Sequence, residues 1–210
     1  MNNKLRELYR SVFTIENIKK IPEREKLSAP LLINVYDSYI NSKLKIMFVG
    51  KETNHWLTHQ SRDEDEKGIN YLLNHYETAF HSLFQRYENA FIDNDGSKKS
   101  AFFSQYMNIR KQLTSNELGS IVWNNIYKLS YDQNNGFSKS SKSHKEVCVL
   151  SKQLFLEELN ILEPDVIIFV TCASYDSEIK KYLNEYKTID VPIKKRLWKF
   201  KHKLKNKDIL

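Results

Sequence analysis

Three short apolar runs, each ending in polar or small residues and separated by long helical stretches, mark this chain as an α/β fold. The expected form is a single three-layer domain with a central, mostly parallel four-stranded sheet. The runs are Leu44–Val49, Ile121–Lys128 and Val166–Val170, and a fourth strand, read as truncated, is expected to start at Asp208-Ile209-Leu210. Val166-Ile167-Ile168-Phe169-Val170 is apolar at every position, as expected of a strand buried on both faces. A chain of 210 residues suffices for one well-buried core and is short for two. Residues 1–210 therefore read as one unit, with N-terminal helices over 1–42, a core over 43–190 and a basic segment over 191–210.

The elements follow in order. Leu5, Leu8, Tyr9, Val12, Phe13, Ile15 and Ile18 keep a helical rhythm that Pro22 stops. A short helix is expected from Pro30 to Ile40, and the first strand from Leu44 to Val49. The acidic run Arg62-Asp63-Glu64-Asp65-Glu66-Lys67 belongs to an exposed loop over 57–67. Ile69, Leu72, Leu73, Tyr76, Phe80, Leu83, Phe84, Tyr87 and Phe91 form the clearest amphipathic stripe, ended by the turn signal Asp93-Asn94-Asp95-Gly96-Ser97. A helix over Ala101–Leu113 precedes the second strand. Segment 130–143 has no periodicity and reads as a mobile loop. Val147, Leu150, Leu154, Leu159 and Leu162 predict a helix over Glu146–Leu162, which Pro164 separates from the third strand. A helix over Ser177–Tyr186 and an alternating edge strand, Leu197-Trp198-Lys199-Phe200-Lys201, complete the chain.

Composition narrows the function classes. No apolar run approaches the ~20 residues that span a bilayer, and Met1-Asn2-Asn3-Lys4 lacks the apolar core of a secretory signal. Cys148 and Cys172 have no CxxC partner and read as buried thiols, so a cytoplasmic location is expected. The formal charge is +7. From Lys194 to Asp208 there are eight basic residues and one acidic one, and the other 25 basic and 25 acidic residues cancel. A basic segment on a neutral body is expected to meet an anion, with nucleic-acid backbone the leading partner and Lys128, Lys194, Lys195, Arg196, Lys199 and Lys201 the expected contacts. A solvated lysine-rich tail is the alternative.

In a parallel sheet ligands bind where the carboxyl ends of the strands gather. The first strand runs into Gly50-Lys51-Glu52-Thr53-Asn54-His55-Trp56, an unusual concentration of polar chemistry. Gly50 permits close backbone approach, Glu52 is a candidate to orient or deprotonate a water, and Lys51 and His55 can stabilise an anion. Trp56 either stacks on a base or caps the core. Asn124-Asn125 interrupt the second strand, and amides buried in a strand belong to a network or to a ligand. The third strand end contributes Thr171 to Ser174. The chain lacks a glycine-rich phosphate loop, since its five glycines are scattered. His55 and His59 have no acidic residue between them to suggest zinc. Cys172 lacks an obvious paired base for a nucleophilic role.

Over roughly residues 43–175 these features resemble the uracil-DNA glycosylase superfamily. That family ends its first core strand in a glycine-led motif, classically Gly-Gln-Asp-Pro-Tyr-His, and Gly50-Lys51-Glu52-Thr53-Asn54-His55 stands in the same frame. Its second strand carries a base-reading Asn, a hydrophobic pair and Lys, as in Asn125-Ile126-Tyr127-Lys128. Its third strand follows a Pro and ends in small residues, as in Pro164 to Ala173. The resemblance implies extrusion of a DNA base into the crevice, recognition by Asn125 with Gly50, Lys51, Thr53, Trp56, Asn124 and Thr171 around it, and hydrolysis of the N-glycosidic bond at Glu52, Asn54 and His55. It implies no metal or organic cofactor. One departure stands out. The family places a His-Pro motif after its fourth strand to stabilise the departing base, whereas His202 is followed by Lys203 and does not take that role. A modified-base reader without cleavage and a small-molecule or nucleotide-binding α/β protein are the competing expectations.

Overall fold

The structure, a computed structural model, describes residues 1–53, 68–93, 100–132, 138–139, 144–193, 197–204 and 207–210. Leu5, Tyr9 and Val12 recur at helical spacing and bury one side of α1 (Asn2–Val12). The expected single N-terminal helix is broken at Phe13. Thr14 is extended and its hydroxyl accepts the Asn17 N–H at 3.1 Å, which caps a separate α2 (Ile15–Lys20).

The helix expected over Pro30–Ile40 is corrected to an extended, buried segment followed by a single turn, α3 (Asp37–Ile40). Ala29, Leu31, Leu32, Ile33 and Val35 are all buried, so no polar face remains for a surface helix. Extended backbone instead finds its partners outside itself. The Ser28 and Leu31 amides donate to the Ser130 and Lys128 carbonyls, the Ile33 amide to the Tyr9 hydroxyl, and the Val35 amide to the Asn2 side chain.

The core strand β1 (Ile46–Gly50) is buried throughout. The long stripe after it is two helices, α4 (Asn70–Asn74) and α5 (Tyr76–Asp93), with His75 out of helical conformation between them. α6 (Ala101–Leu113) begins where expected, with the Ser100 hydroxyl accepting the Phe103 N–H at 3.2 Å. β2 (Ile121–Asn125) follows and is also wholly buried. The two-residue ladder of β3 (Tyr131–Asp132) and β4 (Ser138–Lys139) falls in the segment expected to be a loop. α7 (Lys145–Leu162) starts at His144, whose ring accepts the Val147 N–H, and stops at Glu163 in the left-handed region. β5 (Val166–Phe169) and α8 (Asp176–Tyr182) follow, then β6 (Tyr186–Ile193), β7 (Leu197–Leu204) and β8 (Lys207–Ile209).

The chain is α/β, but its central sheet has three parallel strands, ordered β2-β1-β5, rather than four. Residues expected to supply an edge strand form a second sheet, ordered β6-β7-β8 and antiparallel throughout. The cause is connection length. Strands separated by a few residues can pair only as hairpins, while a parallel partner needs a crossover of a dozen or more. Strand alternation sorts the helices: Phe48 and Trp123 meet Phe102 of α6, and Phe169 meets Phe155 of α7. Helices therefore cover both faces of the sheet. Among the described residues no helix is long and apolar enough to cross a membrane. The acidic loop and the turn at Asn94–Ser97 lie outside the described residues.

Gly68 has φ +61°, and a Cβ there would fall 1.6 Å from the Leu27 carbonyl oxygen, which accepts the Ile69 N–H. Gly68→Ala is therefore expected to lower unfolding free energy by about 2 kcal/mol or more, measured by urea denaturation. A change below about 0.5 kcal/mol would show that the turn is not built this way.

Candidate functional site

The strand order places β1 between strands reached in opposite directions, so the carboxyl end of β1 lies at a topological switch point. Backbone bonds hold the three ends together there. The Ile126 amide donates to Gly50, the Tyr127 amide to Lys51, and the Val170 amide to Val49.

On the α6 side of the sheet Gly50 stands opposite Asn125 in register. A Cβ on Gly50 would sit 2.6 Å from Asn125 Oδ1 and 2.8 Å from a Phe102 ring carbon. The glycine is thus required for close approach. Asn125 is 1% exposed, and its Oδ1 accepts the Trp123 indole N–H at 3.0 Å. An indole only donates, so this bond fixes which end of the amide faces it. Asn125 Nδ2 is then left as a buried donor, and among the described residues it has no hydrogen-bond partner. Half-buried Phe102 and Phe103 border this point and lie 5.6 and 5.4 Å from the Trp123 ring centroid. The arrangement offers one oriented N–H donor beside an aromatic surface.

On the α7 side lies a different structure. Lys128 and Glu158 are an ion pair with both side chains 0% exposed. The Lys128 ammonium also donates to Asn124 Oδ1, and Asn124 Nδ2 donates to Glu158 Oε2 at 3.0 Å. Tyr9 donates to Glu158 Oε1 at 2.7 Å. Burial pulls the Lys128 pKa below its usual value against the opposing pull of Glu158, and burial together with the carboxylate pushes Tyr9 well up. Asn124 Oδ1 also accepts the Asn125 backbone N–H at 2.7 Å, so the network holds the residue whose side chain carries the orphan donor.

These positions revise several expectations. Lys128 is no contact for a nucleic-acid backbone, because its ammonium is buried and consumed by Glu158 and Asn124. Asn124 is likewise committed to the network rather than open to a ligand. Thr53 is 5% exposed, and its hydroxyl shares a 2.6 Å bond with Ser28, which ties the Gly50–Thr53 turn to the buried N-terminal segment. Thr171 is 2% exposed and lines a separate groove beside β5. Gly50, Lys51, Glu52 and Asn125 share the carboxyl edge of the sheet, with Glu52 half-buried. Lys199 and Lys201 are exposed on β7. Asn54, His55, Trp56, Lys194, Lys195 and Arg196 lie outside the described residues. Among the described residues no group of three His, Cys, Asp or Glu side chains is placed to hold a metal.

Sequence reasoning missed Glu158, Tyr9 and Phe102. A signal for Glu158 existed: it continues the buried stripe Val147, Ser151, Leu154 of α7, where a carboxylate requires a buried partner. The expected burial of Cys172 is also corrected. Its backbone has φ +63°, it is exposed, and its sulfur lies 2.9 Å from Ser174 Oγ. The Ser174 hydroxyl, with further help from its amide and from Lys51, holds the Cys172 thiol below its usual pKa, whereas burial raises that of half-buried Cys148. The Lys51 ammonium sits 5.6 Å over the Tyr175 ring. A scan against protein-family models finds no match for this chain, and a search of curated proteins finds none either.

Two outcomes follow from this geometry. Glu158→Ala strands a buried ammonium and is expected to cost about 3–5 kcal/mol in chemical denaturation, much of it regained when Lys128→Met and Glu158→Leu are combined. A single-variant loss under about 1 kcal/mol would contradict a sealed network. The thiolate of Cys172 forms at lower pH than that of Cys148, so iodoacetamide should label Cys172 first as pH rises, read by mass spectrometry. Ser174→Ala should move its labelling midpoint upward, and equal labelling of both thiols at every pH would refute the assignment.

Proposed function

We propose that this protein binds DNA and recognises an extruded base, uracil or a modified relative, at the Gly50–Asn125 crevice, with hydrolysis of the N-glycosidic bond as its reaction. The observation that carries the reading is the Asn125 amide. It is buried at the carboxyl end of β2, oriented by Trp123, and left among the described residues with an unsatisfied donor beside a glycine that clears the approach. A buried N–H without a partner costs about 1–3 kcal/mol, which a ligand carbonyl would recover. A pyrimidine carrying an exocyclic carbonyl offers that acceptor, and Asn125 Oδ1 retains a second lone pair for a ring N–H. The adjacent Phe102 ring supplies a face for stacking.

Glu52 stands two residues past Gly50 at the same edge, half-buried, where a carboxylate can hold and polarise the attacking water. Lys51 adds a positive charge for the departing base or the adjacent phosphate. The exposed Lys199 and Lys201 of β7 supply contacts for the DNA backbone. The support is the convergence of these groups at the switch point, together with the motif order Gly50 to Glu52, then Asn125.

The direct test is an oligonucleotide with a single uracil, incubated with the protein and then treated with alkali to break abasic sites. Strand scission is expected. It should fall about 10²–10⁴-fold in Glu52→Gln and about tenfold or more in Asn125→Ala. Unchanged scission in both variants would remove these residues from the site. Salt-dependent DNA binding without scission would identify a base reader that does not cleave, and absence of binding at low salt would defeat the DNA reading altogether.

A further inference from the structure

The second sheet has two unlike faces, because alternate residues of β7 and their cross-strand partners divide between them. On one face Trp198 stacks on Phe200 at 4.4 Å, Tyr186 meets Trp198 edge-on at 5.2 Å, and His202 and Ile209 are buried. This face packs inward. Phe200 stacks on Phe169 of β5, and the Lys180 ammonium of α8 lies 5.0 Å over the Trp198 ring. The other face carries Lys199, Lys201 and Lys203 of β7 with Lys187 of β6, and all four are exposed.

Register and strand direction place this lysine face relative to the candidate site. Phe169 also meets Phe155 of α7, so the aromatic face lies on the α7 side. The lysines therefore stand on the α6 side, which is the side of Phe102 and Asn125. The Ile167 amide donates to the Leu210 carbonyl at 2.8 Å and the Leu210 amide to the Asp165 carbonyl at 3.1 Å. That pattern makes β8 run parallel to β5. β7 is antiparallel to β8, so it starts at the carboxyl edge of the central sheet. The row Lys199, Lys201, Lys203 thus begins at the edge that holds Gly50 and Asn125 and runs away from it.

The charges on this face are poorly compensated within the fold. Lys187 stands directly opposite Lys201 and diagonal to Lys199 and Lys203, and like charges so placed destabilise a sheet. Asp190 is in register with Lys199 and Asp208 with Lys203, yet among the described residues neither closes to an ion pair. Lysines that only guard a sheet against edge-to-edge pairing belong on its edge strands. Three of these four lie on β7, the middle strand. The row fits a linear anion instead. Alternate residues of a strand are ~6.7 Å apart, close to the spacing of successive phosphates on an extended nucleic-acid strand.

Resting on the DNA reading of the Gly50–Asn125 site, we propose that the lysine face is a track for single-stranded DNA that leads the strand to that site. Lys199, Lys201 and Lys203 contact its phosphates in turn, and Lys187 adds charge beside the middle of the row. Asp190 and Asp208 stand at the two ends, which centres the positive charge on Lys201 and Lys187. A flexible single strand can follow a straight row of ammonium groups over its whole length. A duplex strand curves round its axis and leaves a flat face after a short stretch. The rings of this sheet are turned inward, so the track offers charge without stacking and reads no sequence. Choice of base is left to Asn125.

The test is fluorescence anisotropy with a labelled, uracil-free thymidine oligomer of about twelve nucleotides, offered as a single strand and as a duplex. The unaltered full chain is compared with a variant combining Lys199→Gln, Lys201→Gln and Lys203→Gln. A control combines Lys4→Gln, Lys19→Gln and Lys43→Gln, three exposed lysines outside this face. Loss of three phosphate contacts is expected to flatten the slope of log affinity against log salt by about 2. Binding of the single strand at low salt should weaken at least about tenfold, while the control keeps the original slope. The unaltered protein is expected to hold the single strand more tightly than the duplex. A triple variant that binds the single strand as the unaltered protein does overturns the track, and so does duplex binding of equal or greater strength. Two outcomes separate the track from the base reading. Lysine-dependent binding without scission of a uracil-bearing strand supports the track and defeats the hydrolysis. Scission by the triple variant at an unchanged KM overturns the track and leaves the base reading standing.

Discussion

The carboxylate of Glu158 is the point on which the rest of the molecule turns. It lies fully buried on α7 and receives the Lys128 ammonium, the Asn124 amide and the Tyr9 hydroxyl. An ionised pair out of water is tolerated only when its remaining hydrogen-bonding positions are filled. Here Tyr9 and Asn124 fill them, and the network draws on four different parts of the chain. Tyr9 belongs to α1, Glu158 to α7, Asn124 to β2, and Lys128 to the segment that leaves β2. The Tyr9 hydroxyl also accepts the Ile33 amide, which brings in the extended N-terminal segment. One charge thus fixes the relative placement of two packed helices, a strand end and the extended chain beside them.

The same network explains how two adjacent asparagines take opposite duties. Side chains alternate along a strand, so Asn124 points to α7 and becomes structural, while Asn125 points to α6 and meets Gly50 and Phe102. The structural member braces the other through the bond from the Asn125 amide to Asn124 Oδ1. Under the proposed function, this bracing would keep the Asn125 amide oriented, since a loosely held amide would lose orientation on each encounter. Trp123 adds the second constraint from the opposite side by holding Oδ1.

Much of this was legible in the residues, for identifiable reasons. The all-apolar run Val166–Val170 announced a sheet strand, and Pro164 marked the boundary between it and the preceding helix. The end of β1 at Gly50 was readable because the glycine closes an unbroken apolar run and polar residues follow it. Other features escaped because they depend on contacts far apart in sequence. The 28–35 stretch is apolar at most positions, which fits a buried helix and a buried extended segment alike, and its Ser28, Leu31, Ile33 and Val35 amides are satisfied by Ser130, Lys128, Tyr9 and Asn2, none of them local. Lys128 reads as a surface cation until Glu158, thirty residues on, is found against it. The hairpin of β6 and β7 was obscured by Pro192 within its first strand, which edge strands accommodate. Nothing in the sequence singles out Phe102, and only the missing Cβ of Gly50 shows what its ring faces.

The order of the strands also sets a timetable for synthesis. β1 is the middle strand, yet it is made first: Ile46 pairs with Ile121, 75 residues later, and with Val166, 120 residues later. At about 5–20 residues per second, roughly 4–15 s pass before its first neighbour is made and roughly 6–24 s before its second. During that interval Ile46-Met47-Phe48-Val49 has no sheet to join, and it is among the most aggregation-prone windows of the chain. The helices α5 and α6 emerge in between and carry the aromatic rings, among them Phe102 and Tyr106, that cover Phe48 in the finished fold. Protection of the nascent central strand therefore falls to local helical contacts formed before any β-pairing exists.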